Sequence, residues 1–114
     1  MNRNDLAPGT PEHLSPAMSN WFATVVEAYE LEPHHLHLLR LACEAFDRAT
    51  AAREAIERDG LVVTDRFGQA KAHPLAQVRK ESETAFASLL RQIDLDGEPN
   101  PAFRRRVSTY EKGG

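Results

Sequence analysis

Apolar residues recur every three or four positions over three stretches of the chain, which is the period of one face of an α-helix. In the first stretch they are Met18, Trp21, Phe22, Val25, Val26 and Tyr29. Ser15 and Pro16 stand just before them, and a serine N-cap followed by proline at the first helical position is a favourable helix start. The pattern therefore predicts an amphipathic helix over residues 15–30.

A second helix is predicted from His34 to Asp59, a stretch that contains no glycine or proline and consists mostly of strong helix formers. Pro33 separates it from the first helix, because proline disfavours the α conformation at the residue before it. Gly60 is expected to end it with a left-handed cap. At about 1.5 Å per residue the helix is about 40 Å long, which is more than a small single-chain core covers.

Two apolar rows run along this long helix. One consists of Leu36, Leu39, Cys43, Phe46 and Thr50, and the other of Leu38, Leu41, Ala45, Ala49, Ala52 and Ile56. Alanines let helix backbones approach closely, which suits contact either within the chain or between copies. The sequence leaves both arrangements open.

Residues 61–72 change the pattern from helical to β-type. A β-branched run at 61–64 and a turn-like stretch at 65–68 precede residues 69–72, which can return antiparallel. A two-stranded ribbon is marginal alone in water, so it must lean on a helix or join strands from a neighbour. His73 and Pro74 then open a third helix. Its apolar face consists of Leu75, Val78, Phe86, Leu89, Leu90 and Ile93.

The elements together predict a mainly α protein with three helices, of which the second is long, and a small β-hairpin between the second and third. Residues 15–95 are expected to form the helical core and oligomerisation domain. Residues 1–14 are expected to be a flexible arm, and residues 96–114 a flexible basic tail. A small core combined with long helices also favours self-association.

Composition narrows the class of protein. The 114 residues suit one domain, and the net charge of −3 conceals a basic second half, since residues 61–114 carry nine bases against seven acids. Cys43 is the only cysteine, which excludes an intrachain disulfide and a cysteine-based zinc site. The chain shows no leader-like start and no apolar run near the roughly 20 residues of a membrane span, so a cytoplasmic protein without membrane contact is expected.

Candidate catalytic and metal-binding patterns are weak. His34, His35 and His37 lie at the start of the second helix, but no third ligand follows at a definite spacing, so exposed histidines are favoured over a metal site. The chain has no glycine-rich phosphate loop with its lysine, no recognisable nucleophile and histidine pair, and no zinc-protease motif. Neither an enzyme nor a cofactor is therefore expected.

Particular residues in this order resemble the small-subunit family of phage terminases over residues 13–106. The first helix carries Leu14 and Ser15 followed by Trp21, and residues 38–46 read Leu-Leu-Arg-Leu-Ala-Cys-Glu-Ala-Phe. The later features are Gly60 before Val62 and Val63, the Gly68 turn, His73-Pro74-Leu75, and Leu-Leu-Arg-Gln-Ile-Asp-Leu at 89–95. The resemblance lies in the conjunction of these elements in one order and spacing.

The resemblance implies a ring-shaped homo-oligomer in the host cell cytoplasm. Such a protein selects viral double-stranded DNA and hands it to the large terminase subunit, which holds the ATPase and the nuclease. It implies no catalytic site, cofactor or metal in this chain.

Candidate site residues follow from local charge and from the apolar rows. Guanidinium and ammonium groups bind phosphates and release counterions. The candidate DNA-binding residues are Arg104, Arg105 and Arg106 in the tail, Arg79 and Lys80 in the third helix, and Arg66 and Lys71 in the hairpin. The candidate oligomer interface consists of Trp21, Phe22, Ala45, Ala49, Ala52 and Ile56.

Two other functions remain open from the sequence. The first helix, the short break and the second helix have the connection length of a helix-turn-helix, which suits a dimeric transcription regulator. The acidic character of residues 15–60 weighs against insertion into a DNA groove. Alternatively, the chain is a helical adaptor that binds only protein, with the basic tail as its docking peptide.

Overall fold

A computed structural model describes residues 9–95, which form three helices and one two-stranded antiparallel sheet. In chain order the elements are α1 (Pro16–Ala28), α2 (Pro33–Asp59), β1 (Val62–Thr64), β2 (Ala70–Ala72) and α3 (Leu75–Ile93). This confirms the predicted fold class of three helices, one of them long, with a hairpin between the second and third. The predicted tail, 96–114, and residues 1–8 of the predicted arm lie outside the described residues.

Helix α1 begins where the serine and proline signals predict. The Oγ atom of Ser15 accepts a hydrogen bond from the N–H of Met18 at 3.2 Å, and Pro16 follows as the first helical residue. Ser15 is also tied to α2, because its N–H and its hydroxyl both donate to the carboxylate of Asp47, at 2.8 and 2.6 Å. The cap therefore fixes both the start of α1 and its position on α2.

Helix α2 begins at Pro33, one residue before the predicted start, and ends at Asp59 as predicted. The Nδ1 atom of His35 accepts the N–H of Glu32 at 3.1 Å, which satisfies a backbone donor at the helix start. The left-handed cap expected at Gly60 is wrong in its geometry. Gly60 has φ 90° and ψ 157°, because the chain passes directly from the helix into the extended conformation of β1.

The hairpin is antiparallel, as predicted, and its register places Val63 opposite Lys71. Its turn is held by Asp65, whose Oδ1 atom accepts the N–H groups of Phe67 at 2.8 Å and Gln69 at 2.9 Å. Gly68 takes φ +80°, which a residue with a side chain rarely adopts. The turn is therefore specified by an aspartate and a glycine rather than by contacts with the helices.

Helix α3 begins at Leu75, so Pro74 lies at the N-cap, one position before the first turn where it was expected. The helix runs antiparallel to α2 and packs along it. It ends at Ile93, and the C-cap Asp94 has φ 62° and ψ 41°, in the left-handed region. A non-glycine residue therefore takes the left-handed conformation that ends this helix.

The core lies where α1 crosses the first half of α2 and the end of α3. Its buried members are Leu14, Met18, Phe22, Val25, Leu39, Cys43 and Ile93. Leu14, which the sequence pattern placed in the N-terminal arm, is thus part of the core. The second half of α2 packs along α3 without α1, and this difference along the helix pair determines which surfaces stay open.

Candidate nucleic-acid and assembly surfaces

The hairpin carries two of the candidate DNA-binding residues. Arg66 lies in the turn, with its guanidinium carbon 4.8 Å from the centre of the Phe67 ring, a cation–π distance. Lys71 lies in β2 opposite Val63 and is exposed. Leu61, Val62 and Phe67 are also strongly exposed. The hairpin therefore combines positive charge with apolar surface.

Arg79 and Lys80 lie side by side near the start of α3. The Nε atom of Arg79 is 3.3 Å from a carboxylate oxygen of Glu83, one helical turn later. Lys80 is exposed and has no carboxylate partner among residues 9–95. Lys80 is thus more available to a phosphate than Arg79. Arg104, Arg105 and Arg106 lie outside the described residues, so their role stays a prediction.

Most other arginines of the helices are engaged locally. The ion pairs are Arg40 with Glu44, Arg53 with Glu57, and Arg58 with Asp59. Arg48 and Arg91 are exposed and have no carboxylate partner in the described part of the chain. These two arginines were not predicted to bind DNA, because each stands alone in the sequence rather than in a basic cluster. Helical spacing would not have found them either, because Glu44 stands four residues before Arg48 and Asp94 three residues after Arg91.

The candidate interface residues occupy different environments. Phe22, Ala45, Ala52 and Ile56 are buried within the single chain. Trp21 is partly buried, and its ring lies 6.0 Å from that of Phe86 in α3. Ala49 is half-buried and faces a groove. Contact of these six residues with a neighbouring copy stays a prediction, and the chain's own helices already cover four of them.

That groove lies between α2 and α3, and Trp21 of α1 borders it through its contact with Phe86. It has a volume of about 280 Å³ and is formed by Phe46, Ala49, Thr50, Arg53, Glu83 and Phe86. The rings of Phe46 and Phe86 meet edge to face at 5.4 Å, yet Phe46 remains 38% exposed. We refer to this surface as the α2–α3 groove.

The three histidines of α2 do not share one environment. His34 and His37 are exposed, as expected, but the expectation is wrong for His35, which is buried. Burial is the largest influence on the pKa of His35 and lowers it, and the neighbouring His34 lowers it further. Among residues 9–95, no cluster of three or more histidine, cysteine or acidic side chains is placed to hold a metal ion.

A family model described as phage terminase, small subunit, matches residues 17–113 of the chain. The chain belongs to this family. The match begins one residue after the start of α1 and covers the rest of the three helices and the hairpin. No curated protein and no solved structure matches the chain significantly.

Membership assigns the chain to viral genome packaging, the process in which terminase small subunits take part. None of the helices within residues 9–95 combines the length and the apolar character needed to span a bilayer.

Proposed function

We propose that this small terminase subunit assembles into a homo-oligomeric ring, binds viral double-stranded DNA and presents it to the large terminase subunit. The observation that carries the proposal is the family match over residues 17–113. In this assignment the large subunit supplies the ATPase and the nuclease, and the small subunit is not an enzyme. It acts in the infected host cell by holding DNA and by regulating its partner.

DNA contact is proposed to be mainly to the phosphate backbone. The residues assigned to it are Arg104, Arg105 and Arg106 of the tail, Lys71 of the hairpin and Lys80 of α3. Arg79 is a weaker candidate because Glu83 already pairs with it. Arg66 lies over the Phe67 ring, an arrangement that suits a protein contact better than a phosphate contact.

A ring explains how a chain with few DNA-binding bases and a net charge of −3 can bind DNA. Each copy neutralises few phosphates, so a single copy binds DNA weakly. Copies arranged about an axis present the same set repeatedly, and binding through several copies raises the overall affinity without any new kind of contact. Assembly and DNA binding are therefore expected to be coupled.

The DNA assignment is tested by a salt titration of binding to a labelled duplex. The wild-type chain is expected to bind at low salt and to lose affinity steeply as salt rises. The triple variant R104A/R105A/R106A is expected to bind more weakly, and its salt slope is expected to fall by about one for every phosphate that a bound copy no longer neutralises. The matched control, R48A/R91A, removes two unpaired arginines outside the proposed set and is expected to behave like wild type.

The salt titration and a measurement of particle mass separate the alternative functions. A wild-type chain that ignores duplex DNA even at low salt would contradict the proposal and favour the adaptor that binds only protein. Light scattering after size exclusion gives the particle mass, and a stable dimer would favour the helix-turn-helix regulator over the ring. Unchanged binding by the triple variant would instead move the DNA site from the tail to the hairpin or α3.

A further inference from the structure

We infer that the tip of the hairpin, formed by Arg66 and Phe67, docks into the α2–α3 groove of a neighbouring copy of the chain. The inference rests on the proposed ring and names the two surfaces that meet in it. One surface protrudes and is aromatic, and the other is concave and aromatic. Both belong to every copy.

The protruding surface is the Phe67 side chain. Its residue is 74% exposed, the highest value among the exposed large apolar residues of the described chain. Asp65 holds the turn beneath it by accepting the N–H groups of Phe67 and Gln69. Because the turn is already ordered, docking of the ring does not have to order a loop first, which lowers the entropic cost of binding.

The concave surface is large enough for such a ring. A cavity of about 150 Å³ already accepts a benzene molecule, and the α2–α3 groove has about 280 Å³. Phe46 and Phe86 line it with their rings 5.4 Å apart. A third ring placed against this pair gains offset or edge-to-face contacts, which aromatic side chains favour.

In this fold the hairpin tip does not reach the α2–α3 groove of the same chain. Phe67 is exposed here, and Phe46 lies 13 residues before the end of α2, which is about 20 Å along the helix. The tip and the groove are therefore separate surfaces that only different copies bring together.

Charge supports a second copy as the occupant. Arg66 has no carboxylate partner among residues 9–95. Glu83 lines the groove, and the other charged residue of the lining, Arg53, is already paired with Glu57. Within the described part of the chain Arg79 bonds only the Oε2 atom of Glu83, so the Oε1 atom is left for another guanidinium. When Phe67 enters the groove, Arg66 beside it is brought to the rim, where Glu83 of the neighbouring copy pairs with it.

The symmetry of such a contact fits a ring. Since tip and groove are different surfaces, the contact is head-to-tail, and head-to-tail contacts close into a ring when the rotation between copies allows it. In a closed ring every tip and every groove is occupied once. The exposed Phe67 and Phe46 of the single chain are then both covered.

Charge reversal provides the first test. R66E and E83R, made separately in the full chain, are each expected to raise the concentration at which half of the chains are assembled, on the order of tenfold or more. The double variant R66E/E83R restores a pair of opposite sign and is expected to recover assembly. The matched control is E81R, which makes the same charge change on the same helix but about 200° around it from Glu83.

Removal of the aromatic ring provides the second test. F67A is expected to weaken assembly similarly, whereas L41A, a truncation at an exposed apolar residue outside the groove, is expected to leave it unchanged. Circular dichroism checks that each variant keeps its helices. Particle mass is measured by light scattering at a series of protein concentrations.

A disulfide trap provides the third test and locates the contact directly. Because F67C also removes the docking ring, oxidation is carried out at protein concentrations high enough for the variant to assemble. A chain carrying both F67C and A49C is then expected to form a ladder of cross-linked species, because residues whose Cα atoms lie within about 7 Å can be bridged. An equimolar mixture of the two single-cysteine variants is expected to give cross-linked dimers only. The native Cys43 is buried, so it does not contribute.

The outcomes separate this inference from the proposed function. A wild-type chain that stays monomeric at all concentrations overturns both. A wild-type ring that F67A and R66E leave intact, with no cross-link between positions 67 and 49, overturns the docking inference and leaves the proposed function standing. Recovery by R66E/E83R together with the cross-link supports it.

Discussion

The ring of His73 is hydrogen-bonded to Asp59, with its Nε2 atom 3.0 Å from the Oδ2 atom of that carboxylate. The Nδ1 atom of the same ring accepts the N–H of Leu75 at 3.0 Å, so the proton must reside on Nε2, which donates to Asp59. The backbone N–H of His73 donates to the carbonyl of Leu61. One buried residue thus joins the end of α2, the base of the hairpin and the start of α3.

Replacement of His73 by alanine is expected to lower the free energy of unfolding by about 1–3 kcal/mol, because it removes a buried side chain and leaves the N–H of Leu75 without this acceptor. Amide hydrogen exchange in β1 and β2 is expected to become faster, since the base of the hairpin loses its side-chain tie. Urea denaturation at one fixed protein concentration measures the stability. The control is H37A at an exposed position of α2, and equal stabilities of the two variants would contradict the prediction.

Stability at acid pH is expected to depend on Glu44. Burial raises the pKa of its carboxyl, but hydrogen bonds from His13 at 2.7 Å and Arg40 at 3.0 Å outweigh burial and leave the pKa below its ordinary value of 4.5. A lowered acid pKa stabilises the fold above the unfolded-state value, and this contribution is lost as the pH falls through the folded-state value.

The E44Q variant is therefore expected to lose stability at neutral pH and to show a flatter decline of stability below about pH 4.5. Unfolding free energies measured from neutral pH downward test this. The control is E81Q, whose exposed carboxylate accepts one bond from Gln77. Parallel pH curves for wild type and E44Q would show that Glu44 does not carry the dependence.

The thiol of Cys43 is expected to be unreactive in the folded protein. Burial, which is the largest influence, together with the nearby carboxylates of Asp47 and Glu44, raises its pKa to about 12. Only the thiolate is nucleophilic, so alkylation near neutral pH should be slow until the chain unfolds. A thiol assay with and without denaturant checks this, and rapid reaction of the folded protein would show that Cys43 becomes exposed through local opening.

The boundaries of the helices could be predicted because their signals are local. Ser15, Pro16 and Pro33 act within one helical turn, and the structure uses each of them near its predicted place. Gly60 shows the limit of such reasoning. The glycine itself predicts a positive φ at this position. The value of ψ depends on the strand that follows, and here that strand requires an extended chain.

The partner of each apolar row could not be predicted from periodicity. Ala45 and Ala52 have the spacing of a close helix contact, and that spacing is the same whether the second helix comes from this chain or from another copy. In the structure the chain itself buries both residues. His35 is a similar case, because its burial depends on the path of neighbouring segments rather than on its position in α2.

The candidate site was predicted only in part, because charge clusters show where bases stand but not whether acids engage them. Arg79 pairs with Glu83, whereas its neighbour Lys80 has no such partner in the described region. The α2–α3 groove could not have been foreseen, since Phe46 and Phe86 are 40 residues apart and lie in different helices.

The direct succession of α2, hairpin and α3 bears on how the protein comes to be assembled. A helix pair joined through one short ribbon makes contacts between segments close in sequence, and chains with such low contact order fold in microseconds to milliseconds. Each newly synthesised polypeptide can therefore complete its own helix pair before it encounters a sister molecule. In the proposed ring, closure is then expected to be a later, concentration-dependent event.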